Sequence, residues 1–225
     1  MLWGLARPIG WLLALGLLVM GGWIGATRWH PSIARYPLQG IDLPIDPGPV
    51  DWGTVRALGA DFAYIVATDG ARRRALDFEA NWAALPDAGL RRGAVHLFSL
   101  CQPAVDQANA FNVVVPRVDD ALPAAVDISF RPDCADRPEP AKLIADLRGF
   151  LSTVEAHTGK PVLVRVSRSV DRAFGITAAL PRPVWAVGNI LTPSYPARTW
   201  QMWRATDMRH IDGTEGPVGW NVVAP

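Results

Sequence analysis

Short apolar runs alternate with longer amphipathic stretches along residues 36–225. The apolar runs predict β-strands at residues 38–42, 62–67, 92–98, 122–128, 161–166, 184–187 and 199–203. The amphipathic stretches predict helices at residues 51–59, 76–88, 105–114 and 140–157. This alternation is typical of an α/β protein in which crossover helices connect parallel strands. Its regularity favours a TIM-like (β/α) barrel, a fold in which the loops after the strands build the functional site.

A different pattern precedes the barrel. Residues 8–26 are apolar and carry no charge, and tryptophans lie near both ends of this run. A helix of this length can cross a hydrocarbon core of about 30 Å. The run predicts a transmembrane anchor within residues 1–30, followed by one domain over residues 36–225. A cleaved signal peptide is the alternative, although no convincing small-x-small cleavage site follows the run.

Charge and cysteine content narrow the possible partners. The chain has 22 basic and 21 acidic residues, so no basic field supports a nucleic-acid partner.

Cys101 follows the third predicted strand and Cys134 follows the fourth. If these strands are neighbours, the two cysteines can form a disulfide, which an exported domain permits. Two unrelated thiols are the alternative. We predict neither a metal site nor a cofactor, because two cysteines without further ligands do not match zinc spacing.

Several segments match one known family in order and spacing. They are Gly40-Ile41-Asp42, Val50-Asp51-Trp52, the stretches 62–70 and 88–98, and Thr158-Gly159-Lys160-Pro161. Each motif is weak alone, but together they span residues 36–223. On these residues the chain resembles the lysozymes (N-acetylmuramidases) of glycoside hydrolase family 25. The resemblance implies a family 25 barrel that acts on peptidoglycan, with Asp42 and Asp127 as catalytic residues.

The chain departs from the family pattern at the site itself. Where the family has Asp-x-Glu, this chain has Asp127-Ile128-Ser129, and Gly219 takes the place of a second family carboxylate. Residues two apart on a strand face the same way, so Ser129 points where the family's acid would point. Arg204 replaces a family glutamine. A general acid contributes on the order of 10²–10⁴ in rate, so we expect hydrolysis to be weak or lost.

Other residues are candidates for substrate contact or for replacement of the missing acid. The resemblance places five side chains near the substrate: His96, Asp69, Trp185, Trp203 and Asn221. Core packing is the alternative interpretation for the histidine and the tryptophans. A relocated acid would be Asp69, Asp133 or Glu215. Restoring Ser129→Glu and Gly219→Asp together is expected to recover some activity if the cleft is otherwise intact.

Three functional hypotheses follow, and whether the protein is an enzyme stays open among them. The first is a single-pass membrane protein whose lysozyme-like domain lies on the periplasmic or extracellular side and is weakly active or inactive. The second is a pseudoenzyme that binds peptidoglycan, or scaffolds a wall-enzyme partner, without hydrolysis. The third is an active muramidase with a relocated general acid.

Overall fold

A closed barrel forms the body of the protein. The computed structural model describes residues 3–132, 134 and 137–225. The strands are β1 (Gln39–Asp42), β2 (Phe62–Asp69), β3 (Arg73–Arg74), β4 (Arg91–Phe98), β5 (Ala125–Ile128), β6 (Leu163–Ser167), β7 (Val184–Val187), β8 (Trp200–Arg209) and β9 (Val218–Val223). The helices are α1 (Trp3–Arg28), α2 (Trp52–Ala57), α3 (Phe78–Asp87), α4 (Ala104–Val114), α5 (Pro140–Thr158), α6 (Arg168–Phe174) and α7 (Ile176–Ala179).

Eight strands close the barrel in the order β1-β9-β8-β7-β6-β5-β4-β2, and β2 pairs with β1. Seven of them run parallel, whereas β9 is antiparallel to both β8 and β1. The two-residue β3 pairs with β2 outside this ring. The predicted α/β barrel is therefore confirmed, with β9 as a strand that the alternation did not predict.

Local sequence signals set several element ends. The Asp51 side chain accepts a hydrogen bond from the Thr54 N–H (3.1 Å) and caps α2. Gly159 ends α5 in the left-handed conformation, with φ of 72°. The strand predicted from residue 161 begins at Leu163 instead. Pro161 has no N–H to donate to a sheet ladder, which is consistent with the later start.

Apolar side chains fill two layers, one inside the barrel and one between the strands and the helices. The interior cluster contains Phe62, Tyr64, Val66, Val95, Ala125, Leu163, Trp185 and Met202. The larger outer cluster packs alternate strand residues against helices α2–α7. Because successive strand residues face opposite sides, a polar residue among the inward positions must find a partner within the barrel.

Among the side chains that the structure describes from residue 11 onward, those of the N-terminal helix are buried only in its last turn. Large apolar side chains from Trp11 to Ile24 are exposed, and the window Trp11–Arg28 has a mean hydropathy of 1.4. Thr27 is buried, and its carbonyl accepts a hydrogen bond from the His210 N–H (3.0 Å). The segment that follows lies on the outer face of β8, where the Trp29 and Trp203 rings are 6.5 Å apart.

Candidate active site

Asp42 is the last residue of β1, and its carboxylate is only 1% exposed. Arg204 donates to it twice, from Nε to Oδ1 (2.9 Å) and from Nη2 to Oδ2. Arg165 Nη1 also donates to Oδ2 (2.8 Å), and Asn221 Nδ2 donates to Oδ1 (2.9 Å). Both oxygens of the predicted catalytic carboxylate are therefore fully engaged by protein donors.

Asp127 lies one residue from the end of β5 and shares a partner with Asp42. Arg165 Nε donates to Asp127 Oδ1 (2.8 Å), so one guanidinium group bridges the two carboxylates. The Ser129 hydroxyl donates to Asp127 Oδ2 (3.1 Å). We call Asp42, Asp127, Ser129, Arg165, Arg204 and Asn221 the ion-pair cluster. It brings together two predicted catalytic residues with Asn221, one of the predicted substrate-contact residues.

The charges of the ion-pair cluster hold its central carboxylate in the ionised form. Burial raises the pKa of Asp42, but the guanidinium groups of Arg204 and Arg165 outweigh burial and bring the pKa to about 2. Burial likewise lowers the pKa of Arg204, and the Asp42 carboxylate beside it raises that pKa overall. Asp42 therefore carries no proton at neutral pH and cannot serve as an acid there.

Trp185 supports the cluster from within the barrel. Its Nε1 donates to Asn221 Oδ1 (2.9 Å), which orients the amide toward Asp42. The Arg165 guanidinium lies 4.7 Å from the centre of the Trp185 ring, within the range of a cation–π contact. The residue is 0% exposed, so its ring has no free face for a sugar. The predicted substrate contact of Trp185 is thus replaced by a supporting role beneath the cluster.

Gly219 lies directly opposite Asp42 in the β1–β9 ladder. A Cβ atom at this position would lie 1.9 Å from Asp42 Oδ1 and 2.7 Å from Arg204 Nε. The space next to Asp42 is therefore filled by the Arg204 guanidinium. A side chain at position 219 fits only if Asp42 and Arg204 move, and the recovery of activity by Ser129→Glu with Gly219→Asp stays a prediction.

The structure describes two of the three candidates for a relocated acid, Asp69 and Glu215. Asp69 accepts a hydrogen bond from Arg131 Nη2 (2.7 Å), and Arg73 Nη1 lies 3.7 Å from the same oxygen. Glu215 is exposed in the loop before β9, next to Gly48. Asp133 lies outside the described residues. Asp69 is thus occupied by guanidinium groups, and Glu215 remains a loop carboxylate.

His96 and Trp203 face away from the ion-pair cluster, in contrast to the substrate contacts predicted for them. The His96 ring is 0% exposed, with Nδ1 2.7 Å from Thr68 Oγ1 and Nε2 3.1 Å from Gln107 Oε1. Burial lowers the pKa of His96 to about 4, so the ring is neutral. Trp203 is buried on the outer face of β8 and donates to the Gly188 carbonyl (2.7 Å). Both positions correspond to the core-packing alternative.

Two arginines carry most of the site's electrostatics, and the sequence interpretation missed that role. The sequence interpretation treats Arg204 only as a departure from the family pattern and includes Arg165 only within the strand predicted at residues 161–166. A signal was present for Arg165, because it lies within the otherwise apolar segment Val162-Leu163-Val164-Arg165-Val166. A charged residue at the centre of a buried strand requires a buried partner of opposite charge.

The predicted disulfide between Cys101 and Cys134 is confirmed, with Cα atoms 5.7 Å apart. It joins the loop after β4 to the loop after β5, on the side of the barrel where both strands end. Among the described residues, no group of three or more His, Cys, Asp or Glu side chains could hold a metal ion.

Asp42 and Asp127 lie at the carboxyl ends of β1 and β5, the end at which barrels of this kind build their active sites. The sequence profile of glycosyl hydrolases family 25 matches residues 41–214, and the chain belongs to this family. The Escherichia coli K12 protein YegX is 29% identical over 196 residues, which cover 84% of this chain and 70% of YegX. Lysozyme M1 of Streptomyces globisporus is 28% identical over 199 residues, or 82% of this chain and 67% of that protein.

The fold comparison agrees with the sequence comparison. The structure of a family 25 glycosyl hydrolase from Bacillus anthracis superposes with a TM-score of 0.79 at 26% identity. The superposition covers 87% of this chain and 93% of that one. The barrel frame is thus that of the family, while the ion-pair cluster occupies its site.

Proposed function

We propose that this protein is a membrane-anchored, lysozyme-like domain that binds cell-wall peptidoglycan outside the cytoplasm and hydrolyses it weakly or not at all. Residues 1–30 would form the anchor and residues 36–225 the binding domain. The observation that carries the proposal is the pairing of both retained carboxylates, Asp42 and Asp127, with Arg165, and of Asp42 with Arg204 as well.

Hydrolysis of a glycosidic bond needs a proton for the leaving oxygen and negative charge near the sugar's anomeric carbon. Ser129 cannot supply the proton near neutral pH, and Asp42 has none to give. The two guanidinium groups offset the charges of Asp42 and Asp127. They would also repel the positive charge that develops on an oxocarbenium-like transition state. The cluster therefore opposes catalysis in two independent ways.

Sugar binding requires less of the same residues than hydrolysis does. It needs hydrogen-bonding groups that solvent can reach, and the side chains of Arg204 and Asp127 are 21% and 16% exposed. A guanidinium group can donate to sugar hydroxyls, to an acetamido carbonyl or to a carboxylate. Binding without turnover is thus compatible with the charges that suppress hydrolysis.

Two features support the proposed location. The exposed apolar helix α1 is long enough to span a membrane, and the Cys101–Cys134 disulfide is typical of an oxidising compartment. A reporter enzyme fused after Pro225 tests the topology. We expect a reporter that works only outside the cytoplasm to be active, and activity of a strictly cytoplasmic reporter would refute the location.

The functional test uses the full-length protein in detergent with purified peptidoglycan. We expect the polymer to sediment with bound protein, while the release of reducing ends stays at background. Asp146→Asn, a change at a partly exposed position on α5, is the matched control and should leave binding unchanged. Failure of the wild type to bind peptidoglycan would refute the proposal.

A series of restored variants tests why turnover is absent. Ser129→Glu alone should stay inactive, because Arg204 still occupies the space beside Asp42. Adding Arg204→Gln and Gly219→Asp should give measurable turnover. Robust wild-type turnover that disappears in Asp69→Asn would instead support a relocated acid.

A further inference from the structure

The helix α1 leaves the barrel at the end where the ion-pair cluster lies. Strand β8 runs toward that end, and His210 follows its last residue, Arg209. Arg209 pairs with Val218, the neighbour of Gly219, and Gly219 pairs with Asp42. The hydrogen bond from the His210 N–H to the Thr27 carbonyl therefore joins the last turn of α1 to the rim of the site.

The chain between α1 and β1 is held against the barrel and provides no free spacer. Trp29 packs on Trp203, and Tyr36 contacts both Trp203 and Trp200, whose ring centres lie 6.0 and 6.3 Å from its own. Trp200 is the first residue of β8, so this segment crosses the full height of the barrel wall before β1 begins. The barrel consequently cannot swing away from α1 without breaking these contacts.

The length of α1 then fixes the distance between the site and a membrane. Ile24 is the last large exposed apolar side chain of the helix, and Thr27 at the rim is three residues further along. At 1.5 Å per residue, the rim lies about 5 Å from the end of the apolar stretch. If α1 spans a bilayer, this rim is at the level of the lipid headgroups.

We infer that the site takes a saccharide that is still carried by a membrane lipid, in preference to glycan strands of the assembled wall. The inference rests on the proposed function, because it specifies which form of the glycan the domain meets. A lipid-linked amino sugar presents its saccharide at headgroup level, where the anchor holds the rim. A strand in the wall would have to approach within about 5 Å of the bilayer to reach the same rim.

The test compares two forms of one saccharide with the full-length protein in phosphatidylethanolamine–phosphatidylglycerol vesicles. One form is a photo-crosslinkable amino-sugar disaccharide peptide on a polyprenyl diphosphate embedded in the vesicles, and the other is the same disaccharide peptide free in solution. The key variant carries a twelve-residue Gly-Ser insertion between Ile24 and Gly25, which leaves the Thr27–His210 bond in place. Such an insertion adds a flexible spacer of about 20 Å.

We expect the insertion to reduce crosslinking to the lipid-carried saccharide by about tenfold, because it lowers the effective concentration at the site. Binding of the soluble form and the thermal unfolding midpoint should stay as in the wild type. Equal crosslinking by both proteins, or capture of assembled peptidoglycan in preference to the lipid-carried form, would overturn the inference. If neither protein binds the saccharide in any form, the proposed function itself fails.

Discussion

Replacement of Arg165 by methionine tests whether the ion-pair cluster holds the barrel interior together. Methionine keeps an unbranched apolar stem that can pack on Trp185, but it removes the guanidinium that bridges the two carboxylates. Asp42 stays buried and keeps only Arg204 and Asn221 as partners. The variant therefore measures how much the free energy of unfolding falls when a buried anion keeps fewer compensating charges.

The expected magnitude follows from the burial of Asp42. Removal of one partner from a buried ion pair costs about 3–5 kcal/mol. Arg204 remains beside Asp42, so we expect Arg165→Met to lower the free energy of unfolding by about 3 kcal/mol. The matched control is Lys142→Met, which breaks an exposed pair with Asp146 on α5 and should cost less than about 1 kcal/mol.

Urea unfolding of the detergent-solubilised chain at pH 7, followed by tryptophan fluorescence, measures both variants. Asp42→Asn alone and in the Arg165→Met background completes a double-mutant cycle. We expect the two changes to be coupled by about 2 kcal/mol, since the amide no longer needs the missing charge. A stability of Arg165→Met within 0.5 kcal/mol of the wild type, or additive effects of the two changes, would refute the reasoning.

Three further predictions concern acid, the disulfide and the close approach at Gly219. The pKa of Asp42, about 2 against an ordinary 3.8, contributes about 2 kcal/mol of stability that is present above pH 3.8 and lost as the pH falls through about 2. Asp42→Asn should therefore flatten the acid part of a stability–pH curve. Replacement of Cys101 and Cys134 by alanine should cost about 2–4 kcal/mol, and added reductant should then have no effect on stability. Gly219→Ala should cost about 1–3 kcal/mol in thermal unfolding, because its Cβ would press on Asp42 and Arg204.

The sequence predicted the parallel part of the barrel well because its strands are apolar and lie between recognisable helices. The first strand was expected to end at Asp42, and the fourth to place Asp127 at its tip, as they do. Strand β9 was missed because Gly219 and Asn221 are residue types that strands disfavour. Its segment was therefore interpreted as a motif and not as a strand.

The interior of the site was harder to predict, because its contacts join residues that are remote in the chain. Arg165 donates a hydrogen bond to Asp42 although 123 positions of sequence separate them, and Arg204 does so at a separation of 162. Local periodicity does not predict these contacts, because they depend on barrel closure and strand register. His96 illustrates the same limit, since its two polar partners come from β2 and α4.

The contact at Gly219 also constrains how such a sequence can change over generations. A side chain at this position would collide with Asp42 and Arg204, so a larger residue fits there only if both of these side chains move. Loss of Arg204 first would remove two of the hydrogen bonds that hold the buried Asp42. A single change at position 219 or at position 204 thus passes through a less stable protein. The order in which positions 204 and 219 change therefore decides how stable the intermediate protein is.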